Sequence, residues 1–131
     1  MERLLAPLTY LDTHVVAWLF AGETAVLSVA ARRALERGEL IASPAVLLEL
    51  QYLYETNRTS EPAERVIEDL RERLSLRICD LAFADVVRRA IDQNWTRDPF
   101  DRLIVAQAMV RGATLVTKDA QIRAHYRRAV W

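Results

Sequence analysis

The sequence is poor in cysteine, glycine, proline and histidine, and it has no long apolar run. Its 131 residues include one Cys, three Gly, four Pro and two His. The single Cys79 excludes an internal disulfide and a zinc site built from several cysteines. The scarcity of Gly and Pro leaves little material for a linker or a low-complexity segment. The longest uninterrupted apolar run extends from Val15 to Ala21, which is too short to cross a bilayer.

The composition is that of a chain able to bury a core. Hydrophobic residues make up 52% and charged residues 27% of the sequence, and the length fits one domain over residues 1–131. Residues 1–11 lack the long apolar core and small-residue cleavage site of a secretory signal peptide. We therefore expect a single-domain cytoplasmic protein with no membrane segment.

The charge balance argues against nucleic-acid binding through bulk positive charge. Eighteen basic residues oppose eighteen acidic residues, and the net charge is zero with His neutral. A nucleic acid would have to be recognised at a local site rather than by the overall field of the protein.

Short apolar segments alternate with helical patterns along the chain. The predicted strands are 8–11, 40–42, 76–79 and 114–117, with a closing edge strand at 129–131. The predicted helices are 15–20, 27–37, 44–56, 61–74, 83–93, 99–111 and 120–126. Such alternation predicts an α/β fold with a parallel sheet covered on both faces. Open sheets of this kind place their sites beyond the carboxyl ends of the strands.

Acidic residues follow the predicted strands or begin the helices that come after them. They are Asp12, Glu49, Asp98, Asp101 and Asp119. Each has a purely structural interpretation. Asp98 is a natural N-cap before Pro99, and Asp101 suits the first turn of the same helix. Asp12 and Asp119 can form turns, and Glu49 can reach water or pair with an Arg.

Taken together, the five acids would put like charges on one rim of the sheet. That arrangement is unfavourable unless protons or a cation neutralise it. Oxygen-only ligands suit a hard ion such as Mg²⁺ or Mn²⁺. A site of this type polarises a phosphodiester and lowers the pKa of an attacking water. The pattern therefore predicts phosphodiester hydrolysis without a covalent nucleophile.

Four segments carry a family resemblance in their order and spacing. They are YLDTH at 10–14, SPAVLLEL at 43–50, RDPFDRLIVAQA at 97–108 and LVTKD at 115–119. With these segments the chain resembles the PIN-domain ribonucleases, and especially the VapC-type toxins of bacterial type II toxin–antitoxin pairs. The resemblance extends over nearly the whole chain.

The resemblance implies a three-layer α/β/α sandwich with a mainly parallel sheet and an Mg²⁺- or Mn²⁺-dependent endoribonuclease. It also implies an RNA substrate, an antitoxin partner and a homodimer. The catalytic residues implied by position are Asp12, Glu49, Asp98, Asp101, Thr117 and Asp119. Of these, the implied metal ligands are Asp12, Glu49, Asp101 and Asp119, while the Thr117 hydroxyl would orient a carboxylate or a water. Many relatives carry Asn at the position of Asp119 and a further acid downstream, which this chain lacks.

Three nearby side chains have other interpretations. His14 follows Asp12 closely, and we interpret it as a packing or hydrogen-bonding residue rather than a ligand. Trp18 is expected to fill core or dimer space. Arg102 is equally compatible with a contact to substrate phosphate and with a pair to a carboxylate.

Two alternative functions stay open at the level of sequence. The first is a receiver-type signalling domain, which also collects acids around Mg²⁺. In that case Asp80 would be the phosphoacceptor, and Lys118 would be the lysine that such domains carry after a late strand. The second alternative is a PIN-like domain that binds RNA or a protein partner without cutting RNA. A haloacid-dehalogenase-like phosphatase is excluded, because its first strand should end in Asp-x-Asp and position 14 here is His.

Overall fold

The computed structural model describes residues 6–131, so the part of the signal-peptide and domain predictions that concerns residues 1–5 lies outside the described residues. The strands are β1 (Leu8–Leu11), β2 (Glu39–Ala42), β3 (Arg77–Ile78), β4 (Thr114–Val116) and β5 (Ala129–Val130). The helices are α1 (Thr13–Ala21), α2 (Val29–Arg37), α3 (Pro44–Glu55), α4 (Ala63–Leu74), α5 (Phe83–Ile91), α6 (Pro99–Arg111) and α7 (Ala120–His125). The predicted α/β fold with its parallel sheet is confirmed.

Local signals explain where most helices begin and end. The Ser43 hydroxyl accepts a hydrogen bond from the Ala45 amide at 3.1 Å, with Pro44 at the first helical position of α3. Helix α6 begins in the same way at Asp98 and Pro99 and ends where Gly112 adopts a left-handed conformation. These caps explain why the predicted bounds of α6 match the structure.

Most predicted bounds differ from the structure by one or two residues at an end, and two of these differences have a clear local cause. The predicted helix 27–37 is shorter, because a 3₁₀ turn at Thr24–Val26 comes first and Ser28 caps α2. The predicted third strand 76–79 is reduced to two residues. The Leu76 amide donates to the Leu70 carbonyl and completes the end of α4 instead of pairing in the sheet.

The sheet has the strand order β3-β2-β1-β4-β5, and every pairing is parallel. The chain runs outward from β1 to β2 and β3, and then returns to place β4 on the other side of β1. The strand order therefore reverses between β1 and β4. In open α/β sheets, ligands bind beyond the carboxyl ends of the strands at such a switch point.

The core lies on both sides of β1. Tyr10 and Leu11 are almost fully buried in this central strand, and Leu115 is fully buried beside them in β4. Helix α1 adds Val15 and Val16, which are also fully buried. This packing fixes the start of α1 at the switch point. It therefore also fixes Asp12, the residue between β1 and α1. Within residues 6–131, no helix is long and apolar enough to span a bilayer.

Gly38 follows the last residue of α2 and lies close to Thr9 of β1, and it yields the first prediction. A Cβ atom added at Gly38 would lie 1.8 Å from the Thr9 hydroxyl and 2.5 Å from the Thr9 Cβ. Because Thr9 is buried in the central strand, neither atom can move away freely. We expect Gly38→Ala to lower the free energy of unfolding by about 1–3 kcal/mol or more, measured by urea denaturation.

Gly112→Ala is the control for this prediction, because nothing lies within 4 Å of a Cβ there. It should show only the cost of its left-handed backbone, about 1–2 kcal/mol. A Gly38→Ala protein as stable as the parent would contradict the assigned close approach.

Candidate active site

Five carboxylates face one cavity of about 330 Å³ at the carboxyl edge of the sheet. The residues lining it are Asp12, His14, Trp18, Glu49, Asp98, Asp101, Lys118 and Asp119. Asp12 follows β1 and Asp119 follows β4, so the cavity lies at the switch point between those strands. The structure thus brings together all five acids that the sequence placed on one rim.

Asp12 is the most deeply buried of these acids, with 7% of its surface exposed. Its Oδ1 accepts the Thr13 amide at 2.8 Å, and its Oδ2 accepts the Thr117 hydroxyl at 2.7 Å. The Asp119 amide in turn donates to the Thr117 hydroxyl at 3.1 Å. Burial raises the pKa of Asp12, although the bonds from Thr117 and Thr13 oppose the shift. The fully buried Thr117 therefore joins the end of β4 to the acid that follows β1.

Glu49 lies on α3 and is held by a residue that the sequence reasoning missed. Its Oε1 accepts a hydrogen bond from the Thr13 hydroxyl at 2.5 Å. Burial raises the pKa of Glu49 and the charges of Asp12 and Asp98 add to the shift, while the Thr13 bond opposes it. Thr13 has a local signal in the sequence, a hydroxyl directly after the cap of α1, but its partner is 36 residues away and only the fold reveals it.

Asp98 and Asp119 cap helices and also line the cavity. Asp98 accepts the amides of Phe100 and Asp101 at the start of α6, and Asp119 accepts the Ile122 amide at the start of α7. Asp98 is thus the N-cap that the sequence predicts, and Asp119, expected only to form a turn, is an N-cap as well. Both residues still belong to the acidic cluster. Because helix N-termini carry partial positive charge, these positions also favour negative side chains.

Asp101 is the acid on which the repulsion concentrates. Burial raises its pKa to about 7, and the charges of the other acids lining the cavity add to the shift. Those acids are Asp98, Asp12, Asp119 and Glu49. No hydrogen bond from residues 6–131 stabilises its charged form. Its carboxylate therefore faces the cavity with all of its acceptor positions available.

The donor set suits a hard divalent ion, although the side chains do not yet surround a common point. Among residues 6–131, no three His, Cys, Asp or Glu side chains are close enough to count as a ready-made metal-binding group. The fit rests on donor chemistry. Asp12 uses two acceptor positions, Glu49 uses one and Asp101 uses none, whereas an ionised carboxylate has about four. The remaining oxygens are those that Mg²⁺ and Mn²⁺ prefer.

Three other side chains can be compared with their sequence interpretations. Arg102 forms no ion pair with a carboxylate of residues 6–131, since its guanidinium donates to the backbone carbonyls of Thr96 and Ile91. A contact between Arg102 and substrate phosphate stays a prediction. Trp18 packs against the hydrophobic core, as expected, but it is only half-buried and also lines the acidic cavity, with the Lys118 ammonium 5.9 Å from its ring centre. Asp80 follows β3 at the edge of the sheet, and its side chain is 90% exposed. The phosphoacceptor expected of a receiver domain is therefore outside the acidic cavity.

The fold and the acidic cavity define an α/β protein with a carboxylate site at its switch point, and comparison with known proteins gives its family. The model of the PIN domain family matches residues 9–128. The chain is 35% identical over 119 residues to Ribonuclease VapC22 of Mycobacterium tuberculosis, covering 88% of this chain and 89% of the relative. The chain belongs to the PIN domain family.

Solved structures with the same fold are less similar in sequence. A toxin–antitoxin complex from Klebsiella pneumoniae matches with a TM-score of 0.65 at 19% identity, covering 94% of this chain and 96% of that one. VapBC2 from Rickettsia felis, bound to a DNA fragment from its promoter, matches with a TM-score of 0.59 at 18% identity over 94% and 96% of the two chains. These likenesses show the shared fold.

The bond from Thr117 to Asp12 yields a prediction about stability. Thr117→Val keeps the shape of the side chain but leaves Asp12 Oδ2 without its donor, at a cost of about 1–3 kcal/mol in the free energy of unfolding. Thr117→Ser should restore most of this loss. Thr114→Val, at the start of the strand that Thr117 follows, is the control and should change little. Equal urea unfolding of Thr117→Val and the parent would contradict the role of the hydroxyl.

The raised pKa of Asp101 yields a prediction about pH. Because the pKa is about 7 in the folded state and 3.8 as the ordinary value, the folded protein binds this proton more tightly. Ionisation of Asp101 therefore does not destabilise the folded state below about pH 4, and this destabilisation grows as the pH rises to about 7. With EDTA present, Asp101→Asn should gain ~1–2 kcal/mol at about pH 8, allowing for solvent screening.

The same variant should gain little at about pH 4, where the carboxyl is protonated in the folded state and the pH is still close to its ordinary pKa of 3.8. Asp80→Asn is the control, because its exposed side chain is outside the cavity. Urea unfolding at the two pH values measures both variants. A gain for Asp101→Asn that does not depend on pH would show that charge repulsion is not its cause.

Proposed function

We propose that this protein is a divalent-metal-dependent endoribonuclease that hydrolyses RNA phosphodiester bonds as the toxin of a toxin–antitoxin pair. The observation that carries the proposal is the convergence of five carboxylates on one cavity at the switch point of the sheet. Membership of the PIN domain family and 35% identity to a protein named as a ribonuclease support it.

The residues have distinct roles in this proposal. The metal ligands are Asp12, Glu49, Asp101 and Asp119. When bound, an Mg²⁺ or Mn²⁺ ion supplies a water of lowered pKa and polarises the phosphodiester. Asp98 adds a further negative charge beside Asp101. Thr117 and Thr13 are positioning residues, since their hydroxyls hold the carboxylates of Asp12 and Glu49.

The proposal includes an antitoxin, a homodimer and a cytoplasmic location. Two structural neighbours are named as toxin–antitoxin or VapBC complexes, which supports a protein partner for this chain.

Large apolar side chains remain on the surface around one shallow cavity lined by Leu48, Phe83 and Leu103. Leu48 is 51% and Phe83 67% exposed. Exposed apolar patches of this kind are typical of protein interfaces, and we assign this one to a second copy of the chain.

RNA cleavage by the purified protein tests the proposed function. A labelled single-stranded RNA should be cut with Mg²⁺ or Mn²⁺ and left intact with EDTA. Asp12→Asn and Asp101→Asn should each lower kcat/KM at least ~100-fold, because several kcal/mol of transition-state stabilisation depend on the bound ion. Gel electrophoresis of the products measures the rate.

Asp80→Asn is the matched control for these variants, since Asp80 is also an aspartate after a strand but lies outside the cavity. It should cut RNA at the parent rate. Metal-dependent cleavage that survives both Asp12→Asn and Asp101→Asn would remove the assigned site. Stable phosphorylation of Asp80 by a small phosphodonor, without RNA cleavage, would favour the receiver alternative instead.

A further inference from the structure

The net charge of zero conceals an uneven distribution of charge along the chain. Residues 86–131 contain nine basic and four acidic residues, and three of these acids line the acidic cavity. Asp92 is the remaining acid of this stretch. Helix α4, by contrast, carries four acids beside three arginines. Residues 86–131 therefore supply an excess of positive charge outside the active site.

Five arginines of this stretch lie on α7 or on the segments next to it, and we call them the α7 surface. They are Arg89, Arg97, Arg123, Arg127 and Arg128, and all five are exposed. No carboxylate of residues 6–131 forms an ion pair with any of them. On other helix faces, Arg73 pairs with Asp69 at 2.5 Å and Arg88 pairs with Asp85 at 3.2 Å. The guanidiniums of the α7 surface are therefore available to an external anion.

Contacts between α7 and the loop before α6 hold this surface together. The His125 ring stacks on the Trp95 indole with the ring centres 4.8 Å apart, and the Gln121 side chain donates to the Trp95 carbonyl at 2.8 Å. The Trp95 indole donates to the Gln93 side chain, which in turn donates to the Arg89 carbonyl at 3.3 Å. These bonds tie α7 to the end of α5 that carries Arg89.

Three of the guanidiniums act on the same buried phenol. Tyr126 directly follows α7, and burial raises its pKa, while the charges of Arg128, Arg127 and Arg89 oppose the shift. Because the energy between charges falls with distance, all three guanidiniums lie near Tyr126. Arg89 is therefore a spatial neighbour of the turn that follows α7.

The α7 surface begins at the wall of the acidic cavity. Arg97 directly precedes Asp98, and α7 starts directly after Asp119, so both acids of the cavity adjoin this surface in the chain. The Arg123 guanidinium donates to the Lys118 carbonyl at 3.3 Å, and Lys118 itself lines the cavity. The six residues of α7 then rise by about 9 Å towards the turn that follows.

The phosphate backbone of RNA fits this arrangement of charges. The planar fork of a guanidinium matches the oxygens of a phosphate, and contacts of this kind position a nucleic acid without reading its sequence. Five carboxylates would also repel an RNA strand as it approaches, and a basic surface beside them offsets this repulsion. An acidic protein segment would pair with the same arginines. RNA is favoured because the surface is continuous with the cavity in which its phosphodiester is cut.

We propose that the α7 surface binds the phosphate backbone of the RNA strand on one side of the cut. Arg97 and Arg123 contact the strand next to the acidic cavity, and Arg89, Arg127 and Arg128 contact it farther along α7. The proposal rests on the proposed function and adds to it the path of the substrate across the protein.

Removal of two charges and shortening of the RNA test the proposal together. After the cut site is mapped on a single-stranded RNA, kcat and KM with Mn²⁺ are measured on that RNA and on a short RNA trimmed to the nucleotides next to the cut. On the long RNA, Arg127→Gln with Arg128→Gln should raise KM about two- to tenfold and leave kcat unchanged. The slope of log KM against log salt should fall by about 1.4, since each phosphate contact of a single strand contributes about 0.7. On the short RNA, the variant and the parent should be equal.

Arg65→Gln with Arg71→Gln is the matched control, because it removes the same charge from α4, which is rich in acids. It should leave KM and the salt slope at the parent values. Arg127→Lys with Arg128→Lys keeps both positive charges and should retain most of the salt slope.

An unchanged KM on the long RNA would overturn the proposal, and so would an equal rise of KM on both RNAs. An unchanged KM together with weaker binding of the antitoxin would also overturn it, since the surface would then hold an acidic protein segment. If the parent cuts no RNA, the proposed function fails by itself. Fluorescence anisotropy of the long RNA then tests the α7 surface separately. Weaker binding by the Arg127→Gln and Arg128→Gln protein than by the α4 control would support it, and equal binding would overturn it.

Discussion

Repulsion among carboxylates at the switch point is the constraint on which the rest of the site depends. Asp101 is subject to the charges of four other acids, and burial and these charges together raise its pKa to about 7. A protein that only needed to be stable would not concentrate acids in this way, because each like charge in a partly buried site is unfavourable. A bound cation would offset this repulsion, which explains why the acids lie so close together.

The fold keeps these acids in place by giving them structural partners of their own. Asp12, Asp98 and Asp119 each cap a helix, so the backbone amides that a helix leaves unpaired stabilise the negative charges. The Thr117 hydroxyl links two of these acids across β1 and β4. Helix capping and cation binding are therefore compatible roles for the same carboxylate, because one carboxylate has enough acceptor positions for both.

The sequence predicts this molecule well where a signal is local and poorly where a partner is distant. The bounds of α6 follow from Pro99 and Gly112, which act on neighbouring backbone groups. The rim of acids follows from the general placement of sites in parallel sheets. The Thr13 bond to Glu49 and the Arg102 bonds to carbonyls depend on tertiary contacts that no periodic pattern encodes. The core contact of Trp18 could be expected of an aromatic residue in an apolar helix, but its place in the wall of the acidic cavity could not.

Anomalous diffraction from crystals soaked in Mn²⁺ tests the central claim most directly. The account predicts a manganese peak in the cavity between α1, α3 and α6, bonded to carboxylate oxygens of Asp12, Glu49 or Asp101. It also predicts that Asp101→Asn weakens or removes this peak. Crystals that bind manganese elsewhere and leave the cavity free of it, with the carboxylates still apart, would contradict the claim.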